Sequence, residues 1–341
     1  MPRTASRRSL LLALALALAL AGAGCGGSTT TSGHRPAHAR RSGATATQAQ
    51  APAPPVNLVY HPLYSLPAAL QDPASADLGG GRFVLLGGLD AADTSTAGVI
   101  VADLHGPLHQ ASLPGAQHDA QAAALTPSVY VFGGGNFSQY DHILKFDPAT
   151  NAIAAAGTLP SAASDVAVTE DEGTAYIFGG FDGSVALDTI VAWRPGTPAR
   201  VVAHMPAALR YAAVSTVNGK VLIIGGSTPA GASAAILRFD PATGSVQQIG
   251  HLPHPITHAG AGTLGSTVYL VGGRGDLLDS QSAKVWAIDP STGAVRPSGH
   301  LPQPLSDAGV LTSGDAIIVA GGRSTTATQA GVGELVPAAA G

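Results

Sequence analysis

Six short apolar runs, at 83–86, 129–132, 175–178, 221–224, 268–271 and 317–320, each end in a Gly-Gly pair. The first glycines are Gly87, Gly133, Gly179, Gly225, Gly272 and Gly321, spaced by 46, 46, 46, 47 and 49 residues. Each run is apolar at consecutive positions, so it predicts a strand covered on both faces. A near-constant period of this size is the mark of a repeat architecture.

The stretch 253–302 shows one unit. Ala259-Gly260-Ala261-Gly262 predicts a first strand, Gly265-Ser266 a turn, and Val268 to Val271 the doubly apolar second strand. After Gly272-Gly273 and a variable loop, 284–288 predicts a third strand. Asp289-Pro290-Ser291-Thr292-Gly293 has turn chemistry: Asp accepts from the backbone, Pro presets φ and Gly supplies the left-handed position. A more polar fourth strand follows over 294–299, and Leu301-Pro302 closes the unit. The turn recurs at Asp147-Pro148 and Asp240-Pro241. The closing step recurs at Leu66, Leu113, Leu159, Met205 and Leu252. Four strands per unit, stacked face to face in a ring, give each second strand two apolar neighbours. The prediction is an all-β, six-bladed β-propeller over residues 56–341.

The pattern resembles the kelch repeat. Its carriers are the six Gly-Gly pairs, the preceding runs with Tyr130, Tyr176 and Tyr269, and the aromatic-Asp-Pro steps at Phe146 and Phe239. Kelch units usually carry a Trp on the fourth strand; here Ile153, Val246 and Val295 stand there, so the resemblance is to a divergent member. The last unit has three strands, and residues 56–62 read as a lone fourth strand. Pairing of 56–62 with 330–336 is therefore expected, which removes an open sheet edge.

The first 25 residues read as a signal peptide: Arg3, Arg7 and Arg8, then a Leu/Ala run, then small residues up to Cys25. The Ala-Gly-Ala-Gly-Cys step resembles a bacterial lipoprotein signal, which implies lipidation of Cys25 and a bilayer anchor on the outer face of the cytoplasmic membrane; secretion is the alternative. Ser6-Arg7-Arg8-Ser9-Leu10-Leu11 also resembles a twin-arginine motif, and Sec against twin-arginine export stays open. Residues 26–55, rich in Gly, Ser, Thr, Ala, Gln and Pro, read as a flexible tether.

Composition agrees with the repeat. The 341 residues include 44 glycines and 25 prolines, with only 5% aromatics, which suits many short strands and turns. Residues 56–341 hold 21 acidic against 11 basic side chains, a net −10, which argues against a nucleic-acid partner. With Cys25 the one cysteine, no intrachain disulfide can form. Galactose oxidase shares this kind of propeller, but its copper site implies a cysteine cross-linked to tyrosine, and Cys25 lies in the predicted signal. No cofactor is expected.

Candidate chemistry comes from the start of each first strand. Fourteen residues before each first glycine stand Pro73, Asp119, Asp165, Tyr211, His258 and Asp307; one position earlier stand Asp72, His118, Ser164, Arg210, Thr257 and Ser306. In a propeller these columns converge on the mouth of the central channel. Arg274 and Arg323, just after Gly-Gly, reach the same rim, as do Asn136 and Phe181. The ligand-binding candidates are thus Asp72, His118, Asp119, Asp165, Arg210, Tyr211, His258, Arg274, Asp307 and Arg323. The arginines can hold an acidic group and a His or Asp can move protons. His251, His254 and His258 imitate a metal cluster, yet His251 sits where His204, His300, Thr158 and Ser112 sit in other units, so no metal is expected. The expected function is an extracytoplasmic, monomeric binding module for an envelope protein or glycan. The alternatives are a carbohydrate-active enzyme, which resemblance to the sialic acid epimerases implies, and a structural envelope lipoprotein.

Overall fold

The computed structural model describes residues 56–339. The predicted signal, Cys25 and tether lie outside the described residues. Among the described residues every element is a strand, and the strands form small antiparallel sheets in a propeller-like arrangement.

The sheets follow the repeat. Ala167–Asp171, Thr174–Phe178, Thr189–Trp193 and Arg200–His204 make one four-stranded meander; Ala213–Val217, Lys220–Ile224, Ala235–Asp240 and Ser245–His251 make the next; Gly260–Leu264, Thr267–Val271, Lys284–Ile288 and Val295–His300 make a third. The two units before these share one continuous strand, Gly106–Leu125. Its first part pairs with Thr96–Asp103 and its second with Ser128–Gly135, which joins them as one seven-stranded sheet. The first strands of successive units lie side by side in a closed circuit: Ala74–Gly79, the second half of Gly106–Leu125, Ala167–Asp171, Ala213–Val217, Gly260–Leu264, Gly309–Ser313 and back to Ala74–Gly79.

The first and last of the described strands meet as the pattern predicts. Leu58–Ser65 pairs antiparallel with Gly331–Pro337, with Tyr60 opposite Leu335 and Pro62 opposite Gly333. Leu66 and Leu70 then donate their amides to Ala330 (2.7 Å) and Gln329 (2.9 Å).

The core lies between sheets. Phe83–Leu86, Val129–Phe132 and Val268–Val271 belong to second strands buried on both faces, which accounts for their unbroken apolar character. Third-strand aromatics fill the wedges: Phe146 sits directly opposite Ile153 and Phe239 opposite Val246.

The Gly-Gly pairs join neighbouring sheets. The amide of Gly180 donates to the carbonyl of Leu209 in the next unit (2.9 Å), and the same bond recurs around the circuit until Gly322 donates to Leu70 (2.8 Å). A Cβ on Gly179 would stand 2.0 Å from that Leu209 oxygen, at φ +59°. The pair is therefore a backbone latch that no side chain permits.

Candidate functional site

At the start of each first strand the chain makes one left-handed step. Asp72, Asp119, Asp165, Tyr211, His258 and Asp307 all have φ between 51° and 60°. Five of the six then turn the amide toward the carbonyl of the equivalent residue one unit back: Asp165 to Asp119 (2.9 Å), Tyr211 to Asp165 (3.0 Å), His258 to Tyr211 (3.2 Å), Asp307 to His258 (3.0 Å) and Asp72 to Asp307 (2.8 Å). Aspartate tolerates this conformation better than most residues. Tyrosine and histidine at two of the positions need the surrounding ring to hold them.

One position differs from the sequence expectation. The ring residue of the first unit is Asp72, not Pro73, and its outer neighbour is Gln71. The reason is a bulge between Asp77 and Gly79, ahead of the Gly79–Gly81 turn. It adds one residue between ring and Gly-Gly, so counting back from Gly87 lands one place late. The outer column is now Gln71, His118, Ser164, Arg210, Thr257 and Ser306. Five of these make isolated bridges to the residue after Gly-Gly (Leu89, Phe181, Ser227, Arg274 and Arg323), and His118 pairs with Gly135 in the same way.

The ring side chains close the channel around a cavity of ≈ 50 Å³, lined also by Pro73 and Gln121. Their charges are arranged in pairs. Arg210 clamps the Asp165 carboxylate through Nε and Nη2, and its guanidinium lies over the Phe181 ring, 4.5 Å from the centroid. Burial opposes the Arg210 charge, but Asp165 outweighs it and raises its pKa. Burial, then the neighbouring Asp165, holds Asp119 well above the ordinary carboxylate range. Burial and Asp307 do the same to Asp72. Burial also raises Asp307, against the Ser306 hydroxyl and Arg274. Three of the four ring carboxyls, Asp72, Asp119 and Asp307, are thus pushed toward the neutral acid by burial. Tyr211 is raised by burial and by Asp119 and Asp165; it stays protonated and donates to Asp119 Oδ2 at 3.3 Å.

His258 stacks on Tyr211, with centroids 3.8 Å apart and planes at 23°. Arg274 Nη2 lies 3.0 Å from its Nε2. A guanidinium only donates, so Nε2 is the acceptor and Nδ1 carries the proton, which it gives to Thr257 Oγ1 at 2.9 Å. Burial, then Arg274 and Arg210, pull the His258 pKa down to about 2. Asp307 Oδ1 is 3.9 Å from the same nitrogen, but that contact is no ion pair, because the ring is neutral.

The other candidates stand on the rim. His118 bonds Ser95 through Nδ1 (2.8 Å), with Nε2 3.5 Å from Asp119, and burial lowers its pKa. Ser95 also donates to Asn136 (3.1 Å). Arg323 is drawn outward to Asp93 (2.9 Å), which also accepts from Gln71 Nε2 (2.6 Å). Gln71, Asp93 and Ser95 escaped the sequence reading. Gln71 was hidden by the one-residue slip, whereas Asp93 and Ser95 lie in a variable loop with no repeating partner. His251 bonds Gln248 on an outer strand (2.7 Å to Nε2), away from His258. Among the described residues no three His, Cys, Asp or Glu side chains are grouped to hold a metal ion.

No protein-family model matches the chain. A curated relative, Kelch-like protein 35 of Mus musculus, is 29% identical over 141 residues, 40% of this chain and 24% of the relative. The match thus spans about a quarter of that relative's length. Among solved structures, that of YjhT superposes with a TM-score of 0.68 at 17% identity, over 80% of this chain and 96% of the other. The fold is a divergent kelch-repeat β-propeller. The aliphatic residues at 153, 246 and 295 are where this propeller departs from the kelch pattern.

Below the ring the channel of this propeller widens. A section of ≈ 100 Å³ is lined by Ala122, Ala167, Ala212, Ala261 and their neighbours. It opens into a ≈ 560 Å³ funnel bordered by Thr169, Thr216, Thr263 and Thr312.

Proposed function

We propose that the chain is an exported, lipid-anchored, six-bladed kelch-type propeller that works as a binding module, recognising an envelope protein through the loop face around the ring. The six equivalent ring positions and the closed circuit of first strands support the blade count.

One observation carries the functional reading. On the face that carries Arg210, Arg274 and Arg323, the cavity enclosed by the ring is ≈ 50 Å³, far below the roughly 300 Å³ of an ordinary small-molecule site. The loops around it instead present Phe137, Val185, Leu277 and Leu278, at 101%, 58%, 68% and 66% exposure. All four lie in loops between second and third strands, the same end of the sheets as Arg210, Arg274 and Arg323. Apolar tips around a charged centre match the anatomy of a protein interface, with anchors that fill pockets on the partner. The loops are also braced: Ala232 donates to Asp276 (2.6 Å), Ser95 links to Asn136, and Arg323 to Asp93. Bracing of this kind lowers the ordering cost of docking.

The test is a photo-crosslinker placed at Phe137 or Leu277 in the full chain. The same envelope protein should be captured from both positions and not from Leu108, which is equally apolar but lies on an outer strand. With the crosslinker moved to Val185 on the same face, Phe137→Ser with Leu277→Ser should abolish capture. Capture unaffected by that double variant overturns the reading.

A glycan partner, or a carbohydrate-active enzyme of sialidase or sialic acid epimerase type, is the second reading. The three arginines and the raised pKa values of the buried Asp72 and Asp119 carboxyls favour it. It requires the loops to open around a sugar acid, and it predicts turnover that Asp119→Asn removes.

A further inference from the structure

A groove of ≈ 580 Å³ lies far from the ring, between the sheet of Thr174–Phe178 and the sheet of Lys220–Ile224. Its floor and walls include Tyr176, Ala192, Val202, Pro198 and Pro241, with the buried rings of Trp193 and Phe239 behind them. Two cations, Arg194 and Arg200, border it, and no acidic residue lines it. That is unusual in a region where acidic side chains outnumber basic ones 21 to 11.

Arg194 is held in place. Its Nε donates to Thr174 Oγ1 (2.6 Å) and its Nη2 to the Glu172 carbonyl (3.3 Å). Both partners are neutral, so the guanidinium is oriented without being neutralised. Three other cations are instead held by carboxylates: Arg210 by Asp165, Arg323 by Asp93 and Lys220 by Asp240. Asp240, which lies between the groove residues Phe239 and Pro241, is paired with Lys220 at 2.8 Å. A pinned, uncompensated guanidinium over a flat apolar floor is complementary to an anion with an apolar body.

We infer that this groove is a second binding site, separate from the loop face, for a small organic carboxylate with a flat apolar body, of the aryl carboxylic acid class. The carboxylate pairs with Arg194 and Arg200. The ring lies between Tyr176 and the prolines, where it buries apolar area that a hydrated inorganic anion could not use. The volume suits such a ligand.

The test uses 1-naphthoate as probe and neutral 1-naphthalenemethanol as its comparison, titrated calorimetrically into the full chain. Naphthoate should bind, and the alcohol at least tenfold more weakly. Arg194→Gln and Arg200→Gln should each weaken naphthoate at least tenfold, while Arg296→Gln, on the exposed outer strand Val295–His300, should leave it unchanged. Both groove substitutions are on the exposed surface, and an unchanged melting temperature checks that they fold. A tryptophan signal gives an independent readout. In a Trp286→Phe background, which leaves Trp193 as the one tryptophan, naphthoate should perturb its emission. No binding at millimolar naphthoate, equal binding of the alcohol, or a loss caused by Arg296→Gln overturns the proposal. None of these outcomes bears on the crosslinking test of the loop face.

Discussion

Arg274 donates through Nη2 to Nε2 of His258 at 3.0 Å. That one bond decides the histidine's tautomer and removes its lone pair from any proton transfer. A residue whose type and position recommend it as a general base is thereby made a neutral strut between Tyr211 and Thr257.

The first prediction is the protonation of His258. Its folded pKa is down at about 2 against about 6.5 in an unfolded chain. Below that unfolded value the unfolded state binds the extra proton, so His258 costs about 1.4 kcal/mol of stability for each pH unit below 6.5. Replacing it with Gln should flatten the stability profile between pH 4 and 6.5. Nitrogen NMR should show the imidazole neutral down to pH 4, and a midpoint near 6 would refute the assigned bond.

The ring carboxyls act in the opposite direction. Asp72 and Asp119 have raised folded pKa values, so the folded state holds protons that the unfolded state has lost. Their stabilising effect is full at acid pH and falls as pH rises through the folded values. Asp72→Asn and Asp119→Asn should therefore each gain stability over the parent on going from pH 4 to pH 8. Urea denaturation at the two pH values measures this, and a gain of equal size at both would contradict it.

Arg210 and Asp165 form the one clamped ion pair of the ring, with the Asp165 side chain 1% exposed. Arg210→Ala leaves that carboxylate buried without its partner, at a cost of about 3 kcal/mol. Adding Asp165→Asn should restore most of the loss. A double variant as unstable as the single one would mean the damage is in packing over Phe181, not in charge.

Gly179 and Gly265 are both left-handed, at φ +59° and +58°, but only Gly179 has a neighbouring backbone oxygen in the way; nothing lies within 4 Å of a Cβ on Gly265. Gly265→Ala should cost about 1 kcal/mol from conformation alone. Gly179→Ala must also break the latch to Leu209, and should cost about 3 kcal/mol or more. Melting curves of the two variants separate latch from turn.

Removal of residues 56–66 tests the seam. It takes away Leu58, Leu66 and the partner strand of Gly331–Pro337, exposing a sheet edge. A large drop in melting temperature with aggregation is expected; an unchanged melting temperature would contradict the seam's role.

The propeller architecture was legible in the letters because its causes are local and repeated. Gly-Gly, the doubly apolar run and the Asp-Pro turn each answer a constraint that recurs in every unit, so the period reports them directly. The meeting of 56–62 with 330–336 was also readable, since a lone fourth strand and a three-stranded last unit complete one another. The ring columns were readable except in the first unit, where a bulge beside Asp77 moved Asp72 into the place that counting assigned to Pro73.

What the letters left open depends on distances between units. That Arg274 reaches His258, that Arg210 takes Asp165, and that burial raises Asp72 and Asp119 are consequences of side chains from different sheets meeting in a small volume. A period states which residues are equivalent, not how far apart their charges stand. The groove at Arg194 is invisible in the sequence for the same reason: it is the gap between two sheets. Local repetition chose the fold, and the close approach of unlike units around one axis chose the electrostatics.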